Sequence, residues 1–223
     1  MTVVDARQQI LAANQAAATS LRQRFREQGT LVVNLISSPG SGKTTLLCTL
    51  AKQLAGQLRM AAIVGDIATE RDADRLRQAG LPAHQIVTGG CCHLDARMLE
   101  KALDTARFGP LDLLFVENVG NLVCPANYDL GEAFKIVLLS VTEGADKPFK
   151  YPGIFSKADV AVLTKTDLLP HVAFDVAAVT EQIQTLRPAA RVLCVSATSG
   201  AGVDEFADLL MDQVETCKFL AHH

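Results

Sequence analysis

The chain has 223 residues, 49% of them hydrophobic, with a formal net charge of -3, which suits one α/β domain with a substantial core and excludes a general nucleic-acid surface. The N-terminus lacks a basic region followed by an apolar stretch, and no segment is long and apolar enough to span a bilayer, so a cytoplasmic protein without membrane or nucleic-acid partners is expected. Six cysteines, two of them adjacent, do not resemble a secreted disulfide framework and are read as core thiols or metal ligands.

Residues 2–28, with Ile10, Leu11, Leu21 and Phe25 among many Ala, Gln and Arg, predict a helix that ends near Gly29 and packs on the domain. The apolar run Leu31 to Ile36 predicts a strand. It leads into Ser37-Ser38-Pro39-Gly40-Ser41-Gly42-Lys43-Thr44-Thr45 and an apolar helix. Strand, glycine-rich turn and helix in that order form a phosphate-binding loop. Gly40 and Gly42 free the backbone so that successive N–H groups face phosphate oxygens, Ser41 and Thr45 flank them, and Lys43 reaches the β- and γ-phosphates. Thr44 would complete a Mg²⁺ shell. Ser37 stands where the pattern G-x-x-x-x-G-K-[ST] opens with Gly.

A second strand, Met60 to Val64, runs into Gly65-Asp66-Ile67-Ala68-Thr69. Asp66, at the carboxyl end of a strand, is a second candidate for the Mg²⁺ shell. Asp72 either positions the attacking water or caps the helix that follows. A short strand Gln85 to Val87 precedes Cys91-Cys92-His93-Leu94-Asp95-Ala96 and a helix; Leu111 to Val116 predicts a buried strand delivering Glu117-Asn118-Val119-Gly120. That segment resembles the Walker B and switch II element of nucleotide hydrolases. Glu117 would hold Mg²⁺ through water, and the Gly120 N–H would sense the γ-phosphate.

Three further strands, Phe134 to Val141, Val160 to Leu163 and Arg191 to Val195, complete about seven that alternate with helices. The expected architecture is a doubly wound, mainly parallel sheet with helices on both faces. Thr164-Lys165-Thr166-Asp167 follows the sixth strand and Ser196-Ala197-Thr198 the seventh. The Asp167 carboxylate accepts from both guanine N1–H and the exocyclic amine, a donor pair adenine lacks. Lys165 would lay its stem along the base, and Ser196-Ala197 resembles the element whose backbone N–H meets guanine O6. Thr164 replaces the Asn of N-K-x-D. Its hydroxyl is suited to part of the tie between base loop and phosphate loop, with reduced guanine affinity as the expected consequence. Residues 1–29 are thus assigned to the N-terminal helix and 30–223 to a P-loop domain.

Cys92, His93 and Cys124 offer thiolate and imidazole ligands at the same end of the sheet, a set that suits Zn²⁺ or Ni²⁺ rather than Mg²⁺. Spacing alone leaves scattered thiols as an equal alternative, with Cys91 undecided. Cys48, Cys194 and Cys217 are read as buried apolar thiols, His84 and His171 as structural or surface residues, and nothing is drawn from His222-His223.

The P-loop, Gly65 to Thr69, Cys92-His93-Leu94-Asp95-Ala96, Glu117 to Pro125 and Lys147-Pro148-Phe149-Lys150-Tyr151-Pro152 together resemble the HypB family, GTPases that support nickel insertion into [NiFe] hydrogenase. The resemblance covers nearly the whole chain after the first helix; Thr164 and Cys91 depart from the family pattern. It implies a slow, Mg²⁺-dependent GTPase cycling between GTP and GDP, with Lys43, Asp72 and Glu117 catalytic. It further implies a GTP-dependent homodimer with Cys92, His93 and Cys124 binding Ni²⁺ or Zn²⁺ near the subunit interface, a HypA-type nickel chaperone as partner, and the hydrogenase large subunit as recipient. Asn121 stands where many GTPases place a catalytic Gln, and Lys147 reads as a solvated loop lysine. Three other functions are weighed: a urease-type nickel-insertion GTPase, a family that places Pro between its metal-binding Cys and His; a P-loop ATPase or small-molecule kinase, for which Asp167 would be irrelevant; and a nickel buffer using GTP only as a structural ligand.

Overall fold

The computed structural model describes residues 3–67 and 70–221; Ala68, Thr69 and the His222-His223 pair lie outside them. Seven parallel strands form one sheet in the order β3-β2-β4-β1-β5-β6-β7. They are β1 (Leu31–Ser37), β2 (Met60–Asp66), β3 (Ala83–Val87), β4 (Leu113–Glu117), β5 (Phe134–Ser140), β6 (Val160–Thr164) and β7 (Arg191–Val195). The helices are α1 (Val3–Gln28), α2 (Lys43–Gln53), α3 (Arg71–Gln78), α4 (Ala96–Ala106), α5 (Lys147–Lys150), α6 (Pro152–Phe155), α7 (Val176–Leu186) and α8 (Val203–Ala221). Short 3₁₀ turns occupy Cys124–Asn127 and Thr166–His171.

Every residue of β1 is buried, as a parallel strand covered on both faces requires. Alternate residues serve opposite layers. Val33 and Leu35 meet Leu46, Leu50, Phe206 and Leu210 of α2 and α8, whereas Val32 packs with Leu21 and Phe25 of α1 and Leu99 of α4. Strand order reverses at β1, between β4 and β5, so the loop leaving β1 opens into the crevice where doubly wound sheets bind ligands.

α1 is bound to the sheet by more than apolar contact. Asn14, 4% exposed, donates to the Asp129 carbonyl at 2.9 Å and accepts the Ala96 N–H at 2.8 Å, while Arg22 pairs with the Asp129 carboxylate at 2.6 Å. One helix thereby fixes both the start of α4 and the segment after Cys124. Among the described residues, no helix is long and apolar enough to cross a membrane.

The third strand begins at Ala83, two residues earlier than its apolar run suggests, because pairing with β2 extends it. The reading of Cys48, Cys194 and Cys217 as buried thiols is corrected. Cys194 is exposed and the other two are half-buried, because β7 is an edge strand whose alternate side chains face outward and the helix cysteines sit on boundary faces. Lys147 is not a solvated lysine either: its ammonium lies 3.6 Å from Glu143 and 5.2 Å from the Tyr151 ring centroid.

Candidate nucleotide and metal site

The turn after β1 places Gly40 and Gly42 at φ 75° and 96°, a left-handed region in which a side chain would be strained. This curls the loop around the N-terminus of α2, whose first residue is Lys43. Lys43 Nζ donates to Ser37 Oγ at 2.7 Å, so the residue that breaks the motif's opening Gly holds the lysine of the candidate phosphate loop. Burial lowers the lysine's pKa, against the opposing fields of Glu117, Asp72 and Glu143. Thr44 Oγ1 donates to Glu117 Oε1 at 2.8 Å, joining two side chains that the sequence marks separately as Mg²⁺ candidates. Burial raises the Glu117 carboxyl to about 7, with Lys43 and Thr44 pulling the other way.

These groups line a cleft of about 550 Å³ shared with Asp66, Asp72 and Gly120. Gly120 has a steric reason to be glycine: a Cβ there would lie 3.0 Å from Pro39 of the phosphate loop. Asp72 does not cap α3, because Glu70 occupies the cap position and Asp72 falls inside the first turn. It faces Arg75 at 3.3 Å, and Arg75 also donates to Thr45 Oγ1 at 3.0 Å. Arg75 escaped the sequence reading, since an Arg in a charged helix carries no signal of its own.

Next to this cleft is a cavity of about 330 Å³ lined by Thr164, Lys165, Asp167 and Ala197. Thr164 Oγ1 donates to the Ser41 carbonyl at 2.7 Å, so the tie between base loop and phosphate loop is made despite the shorter side chain. Lys165, at φ 58°, reaches the Gly40 carbonyl at 2.8 Å. Ser196 Oγ donates to Asp167 Oδ1 at 2.6 Å, aiming the carboxylate.

On the other side of the cleft, the donor atoms of Cys92, His93 and Cys124 all lie within 4.8 Å of one another. The Cys92 and Cys124 sulfurs, both free thiols, are 2.8 Å apart, and this contact raises the Cys92 pKa. His93 stacks on Tyr128, ring centroids 3.8 Å apart at 25°. Cys91 is exposed and outside the group.

Residues 31–194 match the family described as CobW/HypB/UreG, nucleotide-binding domain. Hydrogenase maturation factor HypB of Azotobacter vinelandii is 52% identical over 201 residues, 89% of this chain and 66% of that protein. The Escherichia coli K12 hydrogenase maturation factor HypB is 46% identical over 204 residues, 92% of this chain and 70% of that protein. The crystal structure of HypB from Helicobacter pylori in complex with nickel shares 42% identity and a TM-score of 0.87, covering 92% of this chain and 96% of that one.

The chain belongs to the HypB family. It spans about two thirds of the length of its Azotobacter relatives.

In this HypB-family chain six buried side-chain atoms lack hydrogen-bond partners among the described residues, and two of them are Glu117 Oε2 and His93 Nδ1. Buried polar atoms are rarely left so, and these two fall in the two places where a cation fits the donors present. Two asparagines, for which the sequence suggested no such contacts, join those places. Asn118 Oδ1 accepts from Leu94 N at 3.1 Å and Val119 N at 3.0 Å; Asn121 donates to the Cys92 carbonyl at 3.1 Å. The amide of Asn121 is therefore directed to the metal loop. No motif announces such contacts, because they depend on β3 and β4 lying on either side of β2.

Proposed function

We propose that the chain is a GTP-hydrolysing metallochaperone that carries Ni²⁺ at Cys92, His93 and Cys124 and supports nickel insertion into [NiFe] hydrogenase. The observation that carries this reading is the convergence of those three donors on loops hydrogen-bonded to the segment that follows Glu117. Thiolate and imidazole suit Ni²⁺, and accept Zn²⁺ as a second cargo. The nickel named for the Helicobacter pylori structure supports the first.

In this reading Asp167 accepts from guanine N1–H and N2–H, Ala197 N–H faces O6, and Lys165 covers the base. Gly40, Ser41, Gly42, Lys43, Thr44 and Thr45 wrap the phosphates, Lys43 exchanging Ser37 for β- and γ-oxygens. Thr44, Asp66 and Glu117 would hold Mg²⁺, which would offset phosphate charge in the transition state. Glu117 gives up its proton to do so, and its raised pKa keeps that proton exchangeable near neutrality. Asp72, oriented by Arg75, positions water, and Gly120 N–H contacts the γ-phosphate. Because the Asn121 amide is engaged by Cys92, intrinsic turnover is slow until dimerisation or a partner completes the site. Loss of the γ-phosphate frees residues 118–124, and Cys124 then withdraws from Cys92 and His93. This is a cytoplasmic cycle with a GTP-dependent homodimer, a HypA-type chaperone and the hydrogenase large subunit.

Metal binding to nucleotide-free, GDP-bound and GTP-analogue-bound protein, repeated with Cys92→Ala and Cys124→Ala, tests the reading. Affinity is expected to change with nucleotide and to fall in both variants; equal affinity throughout would remove the coupling. A urease recipient is the second reading, suggested by the name hydrogenase/urease maturation factor carried by a 43% identical Helicobacter pylori relative. Nickel transfer to each apo-enzyme separates the two.

A further inference from the structure

Guanine presents N1–H and N2–H as donors and O6 and, on its Hoogsteen edge, N7 among its acceptors. In the proposed guanine reading, on which this inference rests, Asp167 takes both donors and the Ala197 N–H takes O6. N7 needs a donor of its own. Three side chains beside Asp167 donate inside the protein: Thr164 to the Ser41 carbonyl at 2.7 Å, Lys165 to the Gly40 carbonyl at 2.8 Å, and Ser196 to Asp167 at 2.6 Å.

Thr164 decides the matter. It is 5% exposed, and its hydroxyl has a single proton, so turning it toward the base would give up a buried hydrogen bond to the phosphate loop. An Asn at this position would bring two N–H donors on one nitrogen, enough for the Ser41 carbonyl and a base atom together. We propose that Thr164 makes this chain read guanine through its Watson–Crick edge alone, leaving N7 without a side-chain partner, so that 7-deazaguanine nucleotides are accepted as readily as guanine nucleotides. Thr164 then acts as a specificity-determining residue: it keeps the loop-to-loop tie and relinquishes recognition of one base atom.

Calorimetric titration of the full chain with GDP, 7-deaza-GDP and ADP tests this, on wild type, Thr164→Ser and Thr164→Asn. Wild type is expected to bind 7-deaza-GDP within about twofold of GDP, since no hydrogen bond is lost, and ADP at least about a hundredfold more weakly. Thr164→Ser, which keeps the single hydroxyl, should match wild type. Thr164→Asn should acquire a preference for GDP over 7-deaza-GDP of about fivefold, the usual effect of one neutral hydrogen bond. If Thr164→Asn does not fold, wild type and Thr164→Ser still decide. Rejection of 7-deaza-GDP by wild type, with ADP also rejected, overturns the role given to Thr164 and leaves the guanine reading standing. Equal binding of ADP and GDP overturns the guanine reading and this inference with it.

Discussion

The side-chain amide of Asn121 donates to the main-chain carbonyl of Cys92 at 3.1 Å. Asn121 follows Gly120, which packs on the phosphate loop through Pro39, and Cys92 opens the metal cluster. In the proposed reading, a displacement of the Gly120 segment would be passed to a candidate metal ligand through one hydrogen bond. Asn121→Ala is expected to retain metal binding while the ratio of metal affinities between GDP and GTP-analogue forms, about 5- to 150-fold for a typical coupling, collapses toward one. Metal titrations of the two nucleotide states would show it. An unchanged ratio would transfer the coupling to Asn118.

A second contact links the same regions by shape. An added Cβ on Gly65 would lie 2.8 Å from Leu94, a fully buried side chain two residues past Cys92. Gly65→Ala is expected to destabilise the protein by about 1–3 kcal/mol through overpacking and to weaken metal binding. Adding Leu94→Ala should recover part of the binding loss. Chemical denaturation of the two variants checks the first claim, and unaltered stability of Gly65→Ala would refute it.

Tyr128 stacks on His93 at 3.8 Å, restraining an imidazole whose Nδ1 is buried without a partner. Removing the ring in Tyr128→Ala is expected to lower nickel affinity about two- to tenfold, in line with one aromatic contact. Tyr128→Phe should leave it unchanged. Competition with a chelator of known affinity provides the measurement.

Stability in acid should depend on Asp112 at the opposite end of the sheet. Hydrogen bonds from Arg59, with Lys218 beside them, hold its carboxyl far below the ordinary value of 3.8. A depressed carboxyl contributes stability above its unfolded pKa and loses it as pH falls through the folded one. Asp112→Asn is therefore expected to lower the melting temperature at pH 7, with the gap to wild type narrowing once the pH drops below about 3.8. Melting curves across that range check the sign, and a gap that widens in acid would contradict it.

The phosphate loop and the alternation of strands with helices were legible because each is a local pattern: a turn chemistry, a run of apolar residues. Cys92-His93 and Cys124 were visible as donors. Their meeting was not, since 32 positions separate the two cysteines and convergence depends on strand order. Asp72 illustrates the reverse case, where a plausible helix cap proved to lie inside the helix, facing Arg75.

By itself the sequence determined the sheet, the phosphate loop of a nucleotide-binding domain and the family, for short-range geometry and side-chain chemistry are written into neighbouring residues. Only the tertiary structure decided which loops touch: Asn118 on Leu94, Asn121 on Cys92, Thr164 on Ser41. These are contacts between chain segments brought together by burial of the sheet's two faces, a cooperative outcome of the whole core that no single stretch encodes.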